Sequence, residues 1–292
     1  MAIFLPVQDR IQTLKETYDT LRQGKESLLT VLDEAELSEN VYNSNAIENS
    51  TLTLKETEQI LMELEVSRNV SIREIFEAKN LSRVIQFKKI KSQEQEITID
   101  LILLLHSMLL TGIKDDIAGR FRKETEYVRV GTYIACPPEQ ILEKMNEILI
   151  AYSSDHSTYF LEKVAKFHLD FETIHPFLDG NGRLGRVIVN YQLLRLGFPR
   201  IIIREKDKKT YYHSFEDYQQ NNKTKTMETT FSLALLESLN KRITYLQGKS
   251  IIPLAEYARN TSLKAPSVFN SARRQTLPAF REKGVWKIGD SI

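Results

Sequence analysis

Cysteine is nearly absent from this 292-residue chain: Cys136 stands alone, which excludes an intrachain disulfide framework and any zinc site built on several cysteines. An excess of either charge is missing too, with 40 lysines and arginines against 39 aspartates and glutamates, a formal charge of +1. That balance gives no global footprint for nucleic acid or anionic lipid and leaves only a local basic patch open. Long apolar runs are also lacking. The most apolar stretch, LILLLHSMLLTGI from Leu101, contains His106 and falls short of the ~20 residues that a membrane-spanning helix needs. The opening MAIFLPVQDR has neither the basic segment nor the apolar core of a signal peptide, so a cytoplasmic protein is expected.

Glycine and proline are sparse, at 11 and 8 residues, which leaves room for long helices. Apolar residues recur at three- and four-residue spacing over 8–43, 53–91, 97–112, 139–151, 160–174, 183–196 and 228–247, and each segment is expected to be helical. Thr53 and Glu56 have capping-box spacing, and Gly197 followed by Pro199 is a helix stop. The stretch GRFRKETEYVRVGTYIACPP from Gly119 breaks the pattern. Its β-branched and aromatic residues around Gly131 predict a short hairpin with a rigid proline exit. REKDKKTYYHSF from Arg204 reads as a solvated connection. From about Lys249, PLAEYARN, APSVFNSARRQ and LPAFREKGVWKI suggest a small winged helix-turn-helix-like module. Arg259, Arg273, Arg274 and Arg281 are thin support for DNA binding by it.

The glycines that do occur are concentrated beside reactive side chains, three of them in HPFLDGNGRLGR at 175–186. Pro176 disfavours the α region for His175 and so ends the preceding helix there, turning the imidazole into a loop. Gly180, Asn181 and Gly182 allow positive φ and bring backbone N–H groups close to a ligand. A helix starting near Arg183 points its positive end at the same loop, which makes an anion hole. Arg183 and Arg186, three apart, share a face and can both reach a polyphosphate. Asp179 supplies an oxygen ligand for a magnesium ion on those phosphates. A base, an anion hole, a metal ligand and two guanidinium groups suit transfer of part of a nucleotide. Singly, each element has a bland equivalent in a structural His-Pro, a turn or a solvated arginine pair; together within twelve residues they do not.

This stretch matches every defined position of H-x-F-x-[DE]-G-N-G-R-x-x-R, the signature of the Fic family, and the chain resembles that family over about 95–245. The flanking helices, FHLDFETIHPF and the one that follows, share the likeness. So does the hairpin at 119–138, which looks like the family's target-binding flap. The tail LPAFREKGVWKI looks like the end of many bacterial Fic proteins. The resemblance implies transfer of AMP from ATP to a hydroxyl side chain of a target protein. His175 is then the general base, suited by an unperturbed pKa near neutrality. Asp179 holds Mg2+, Gly180, Asn181 and Gly182 cradle phosphates, and Arg183 and Arg186 neutralise charge, Arg186 at the γ-phosphate. Phe177 packs under the loop. Tyr211 and Tyr212 are the candidates on the adenine side.

Residues 44–49, SNAIEN, match the family's inhibitory pattern [ST]-x-x-x-E-[GN], which marks Ser44 and Glu48 and the subclass with an N-terminal inhibitory helix. Between two helices, Asn49 suits a helix C-terminus and Thr53 a start. Glu48 then sits in a last turn, where the dipole disfavours an anion, and Arg186 sits near an N-terminus, where a cation is disfavoured. The two can relieve each other as an ion pair.

The expected fold is mainly α: a Fic-type helical core at 95–247 with the β-hairpin flap, an N-terminal helical region at 1–94, and the winged module at 248–292. Expected partners are ATP, Mg2+ and a target protein, with self-modification and a homo-oligomer open and no membrane. Alternatives are removal of AMP at the same site with Glu48 positioning water, phosphocholine transfer, and a DNA-binding regulator with the core as sensor. A phosphohydrolase using His168, Asp170, His175 and Asp179 as metal ligands leaves the Gly-Asn-Gly and the arginines unexplained.

Overall fold

The computed structural model describes residues 5–66, 68–91, 96–131 and 133–290. The expected helix at 8–43 is three helices, α1 (Leu5–Leu21), α2 (Glu26–Ala35) and α3 (Leu37–Ile47). Gly24, at φ 70°, turns the chain after α1. The helix expected at 53–91 is two, α4 (Leu54–Leu61) and α5 (Ile72–Lys91). Thr53 and Glu56 do form a capping box at the start of α4, and left-handed Glu63 (φ 58°) lies just beyond its end. The chain turns helical again after Ser71, whose hydroxyl accepts the N–H of Glu74 at 3.2 Å. No proline marks these breaks, so periodicity alone runs straight through them.

α6 (Ile99–Leu110) follows, then the hairpin of β1 (Arg129–Val130) and β2 (Tyr133–Ile134). Its antiparallel register pairs Arg129 with Ile134 and Val130 with Tyr133. The expected boundary between 94 and 95 lies outside the described residues. Next come α7 (Ile141–Ser154), α8 (Phe160–Ile174), α9 (Asn181–Arg195), α10 (Lys208–Asn221) and α11 (Lys225–Leu246). α10 corrects the expectation of a solvated connection after Arg204. Its lysines mask a face of Tyr211, Phe215 and Tyr218 that packs into the second of two apolar clusters.

α8 and α9 lie between those clusters and feed both. Phe171, Leu184, Val187, Ile188 and Tyr191 join residues of α3 to α6, while Leu169, Val189 and Leu193 join α1, α10 and α11. Full burial of each such side chain stabilises the fold by roughly 1.5–3 kcal/mol, so the start of α9 rests on a firmly held helix. A third cluster belongs to β3 (Ser250–Pro253), α12 (Leu254–Asn260), α13 (Ala265–Arg273), β4 (Ala279–Glu282) and β5 (Val285–Asp290). Their sheet is antiparallel, in the order β3–β5–β4. Arg281, one of the four arginines considered for DNA, turns inward: it pairs with Glu237 of α11 at 2.7 Å and lies over the Trp286 ring.

Candidate functional site

α8 ends where Pro176 requires it to, and His175 closes the helix in the left-handed region at φ 50°, ψ 62°. That conformation costs a non-glycine residue roughly 1–2 kcal/mol, so the surroundings must hold it. Arg122 does so, donating from Nε to the His175 carbonyl at 2.8 Å. The imidazole is largely buried. Burial, reinforced by the Arg122 cation, pushes its pKa down to about 4, against the partial opposition of a bond to Glu172. The near-neutral pKa expected from the sequence is therefore corrected, and at pH 7 the ring is a free base.

The loop after His175 is built on an inverted pedestal. Phe177 is fully buried and stacks on His106, ring centroids 3.7 Å apart. His106 Nδ1 accepts the N–H of Gly119 at 2.9 Å, which puts its proton on Nε2, where it donates to the Asp179 carbonyl at 3.0 Å. Asn181 spends its side chain on the loop itself, accepting the Phe177 N–H at 3.0 Å and donating to the Phe177 carbonyl at 2.8 Å. Of the three residues expected at positive φ, only Gly180 adopts it (φ 84°); Asn181 and Gly182 already belong to α9. Gly180 also has no room to spare, since a Cβ there would meet Leu110 at 2.9 Å. The first N–H groups of α9 have no partners within the helix and face the loop.

A carboxylate of the chain's own fills the space above Gly182. An added Cβ at that position would come within 2.2 Å of Glu48 Oε1. Glu48 caps α3, and Asn49 beyond it is left-handed at φ 69°. Glu48 pairs with Arg186 Nη1 at 2.9 Å. Arg186 further donates to the Ser44 hydroxyl at 3.0 Å and the Ser44 carbonyl at 2.7 Å. Its Nη1 also reaches the Tyr211 hydroxyl at 3.4 Å, which lies 2.7 Å from Nε2 of His168. Beneath Glu48 sits Glu172, whose carboxyl is pushed up to about 8, first by burial and then by the Glu48 charge.

Asp179 faces the other way, into cations: Arg73 at 2.9 Å, Lys114 at 3.0 Å and Arg183 at 3.1 Å. Burial alone would raise its pKa, but these three outweigh it and hold the carboxyl below its ordinary value. Arg183 is also paired with Glu77 of α5 at 3.1 Å.

The Fic/DOC family model matches residues 96–193, the segment from just before α6 to near the end of α9. The chain carries a Fic/DOC family domain. It is 34% identical over 180 residues to protein adenylyltransferase fic-1 of Caenorhabditis elegans, covering 60% of this chain and 35% of that protein. With protein adenylyltransferase Fic of Nematostella vectensis it shares 30% over 208 residues, covering 70% of this chain and 48% of that one. The chain thus spans between a third and a half of these curated relatives. A Fic-domain-containing signaling protein from Bacteroides thetaiotaomicron superposes with a TM-score of 0.74 at 27% identity, over 82% of this chain and 98% of that one. Residues 134–508 of C. elegans Fic-1 superpose at 0.66 and 25%, over 83% and 73%.

The Fic domain's loop opens on a cavity of about 400 Å3, walled by the hairpin residues Val130, Gly131 and Tyr133 and by Tyr212 and Phe215 of α10. His175, Gly182, Arg186, Glu172 and Glu48 line it as well. Of the two tyrosines expected near adenine, Tyr211 is 1% exposed and its hydroxyl is engaged by Arg186 and His168. Tyr212 is open to the cavity and donates to the Ile47 carbonyl at 3.2 Å, so it also ties down the end of α3. The four candidate ligands of a metal hydrolase do not converge: His168 is bound to Tyr211, and Asp170 to Lys166 and Tyr218. Among the described residues no three histidine, cysteine, aspartate or glutamate side chains form a metal-ligating group. Sequence reasoning missed Arg122, His106, Glu172 and Glu77. Only His106 carried a signal, as a lone histidine in the most apolar stretch of the chain.

Proposed function

We propose that this protein is an adenylyltransferase that moves AMP from ATP onto a hydroxyl side chain of a target protein and is restrained by Glu48. The observation that carries the reading is a neutral, buried His175 lining one cavity with the N-terminus of α9, Gly182 and Arg186. The target oxygen bonds to the α-phosphorus, the bond to the α–β bridging oxygen breaks, pyrophosphate leaves, and the hydroxyl proton passes to the imidazole. N–H groups of Asn181, Gly182 and Arg183 receive phosphate oxygens, and Arg186, once free, takes the γ-phosphate. The side chain of Asn181 shapes the loop instead.

Asp179 fits a role in holding Mg2+, because that ion needs only one or two carboxylates when phosphates supply further oxygens. Arg73 and Lys114 are half-exposed and can swing off it. The bound ion would spread the charge of the phosphates. Tyr212 and Phe215 offer the aromatic surface for adenine, with Tyr211 behind them. Glu48 restrains the reaction by occupying the anion slot over Gly182 and engaging Arg186. A cytoplasmic setting, where ATP is plentiful, belongs to this reading; no helix among the described residues is long and apolar enough to cross a membrane.

Separate incubations with α-labelled and γ-labelled ATP test the proposal. Glu48→Gly should leave α label on protein, and His175→Ala in that background should lose it while still binding ATP. Retention of γ label in place of α label would overturn it. A second reading, removal of AMP by water, is favoured by the carboxylate of Glu48 sharing the cavity with His175. Release of AMP from a pre-modified target by the wild type, and not by Glu48→Gly, is its distinguishing result.

A further inference from the structure

A buried arginine ordinarily neutralises a carboxylate, because an uncompensated charge away from water is costly. Arg122 departs from that pattern. It is 4% exposed, and among the described residues its guanidinium bonds all end on backbone carbonyls. Nη1 donates to Glu126, ahead of β1, at 2.8 Å. Nη2 donates to Cys136, beyond β2, at 2.6 Å. Nε and Nη2 donate to His175 and Ile174 at 2.8 and 3.3 Å, and the Arg122 N–H reaches the Pro176 carbonyl at 3.0 Å. One side chain therefore fastens both roots of the hairpin to the turn that carries the imidazole.

The arrangement has a mechanical meaning. A two-stranded hairpin with two residues per strand has little cohesion of its own. His175, in turn, holds a backbone conformation that its own helix does not favour. Both line the cavity, and a planar fork with five donors can hold four carbonyls in fixed directions at once, more than the three donors of a lysine allow. A lysine would keep the charge but not the fork.

We propose that Arg122 is a positioning residue that locks the hairpin and His175 into one rigid unit, so that the cavity wall and the imidazole keep a fixed geometry toward the incoming hydroxyl. The proposal rests on the transfer reading above for its kinetic consequence, whereas the mechanical link stands on the hydrogen bonds alone. A displacement of about 1 Å at the reacting groups is enough to lower a rate about 10²-fold.

The test compares Arg122→Lys and Arg122→Gln in the Glu48→Gly background, so that a variant that folds poorly does not decide the matter. For Arg122→Lys the expected result is a kcat lower by about 10²-fold with ATP affinity, measured by calorimetry, within about twofold of the parent. Hydrogen exchange, followed by mass spectrometry on the same proteins, should speed up together in the peptides covering 126–136 and 174–177 and stay unchanged in α11. A kcat within about threefold of the parent would overturn the positioning role. Loosening of only one of the two segments, or of the whole chain equally, would overturn the mechanical link. Should the Glu48→Gly parent transfer no α label at all, the transfer reading fails, and the exchange pattern still decides whether Arg122 joins the two segments.

Discussion

Arg183 and Arg186 stand one turn apart on the same helix, and they are held in opposite ways. Arg183 faces Glu77 from the second turn of α5 and Asp179 from the loop, both largely buried carboxylates. Arg186 faces α3, where its acidic partner Glu48 is 35% exposed at the helix end. The sequence placed both arginines on one face, within reach of phosphate, and offered a carboxylate, Glu48, to Arg186 alone; in the structure Arg183 has carboxylate partners as well. The difference lies in what removal of that carboxylate entails. Arg183 is part of the packing between α5 and α9. Arg186 keeps Ser44 and Tyr211 when Glu48 withdraws, and so can be released without collapse of its surroundings.

The largest expected effect sharpens this contrast. In the Glu48→Gly background, Arg186→Ala should cut α-label incorporation by about 10²- to 10³-fold, the usual loss when one preorganised charge is removed from a developing anion. Incorporation that stays at the Glu48→Gly level would show that Arg186 is not the group being released.

Next, the two carboxylates should part company. Glu48→Gly should raise incorporation about tenfold or more, because a charge-assisted contact worth about 1.5–3 kcal/mol no longer competes with phosphate. Glu48→Gln should fall between the two. Glu77→Gln should give no gain and instead lower stability, by up to about 3 kcal/mol in a denaturant titration, since it breaks one side of a buried pair. A gain from Glu77→Gln equal to that from Glu48→Gly would erase the distinction.

Acid should test the buried histidines around the two arginines. Burial holds His106 and His175 near 4 and His168 near 3, so each stays neutral in the fold while the unfolded chain takes up its proton near the ordinary 6.5. The unfolded state thus binds more protons below pH 6.5, and stability should fall as pH drops from 6.5 toward 4. The slope is about 1.4 kcal/mol per pH unit for each proton. Glu172, raised to about 8, acts in the opposite sense. A melting temperature that is flat between pH 7 and 5 would contradict this.

The smallest effect concerns Asp179. Lys114→Ala removes one of three cations from that carboxylate, and the Mg2+ midpoint for transfer should fall a few-fold. An unchanged midpoint together with loss of activity would mean that Lys114 contacts substrate instead.

Much of the loop was readable because its chemistry is contiguous: a proline ends α8, a glycine turns the chain, and α9 starts at once. Glu48 was readable for a related reason, since a helix C-terminus and an arginine at an N-terminus each leave a charge that needs a partner. Apart from Glu172, which lies on α8 three residues before His175, what escaped reading reaches the site from distant segments. Arg122 lies in an unremarkable FRK, Glu77 in the second turn of α5, and neither has a local pattern that sets it apart. The pKa of His175 escaped as well, because burial belongs to the packed fold and not to the residue type. α10 was hidden by its lysines, although Tyr211, Phe215 and Tyr218 mark its inner face.

The close approach over Gly182 also governs how the proposed restraint would be lost by mutation. Any side chain at 182 would collide with Glu48 and push it out, so this codon offers a route to escape. The same side chain would intrude on the slot proposed for phosphate, so the escape is self-defeating. A change at Glu48 has no such penalty, because it empties the slot and leaves its walls intact. Constitutive variants of this chain should therefore arise on the α3 side of the contact and not on the α9 side, although both residues meet at a single point.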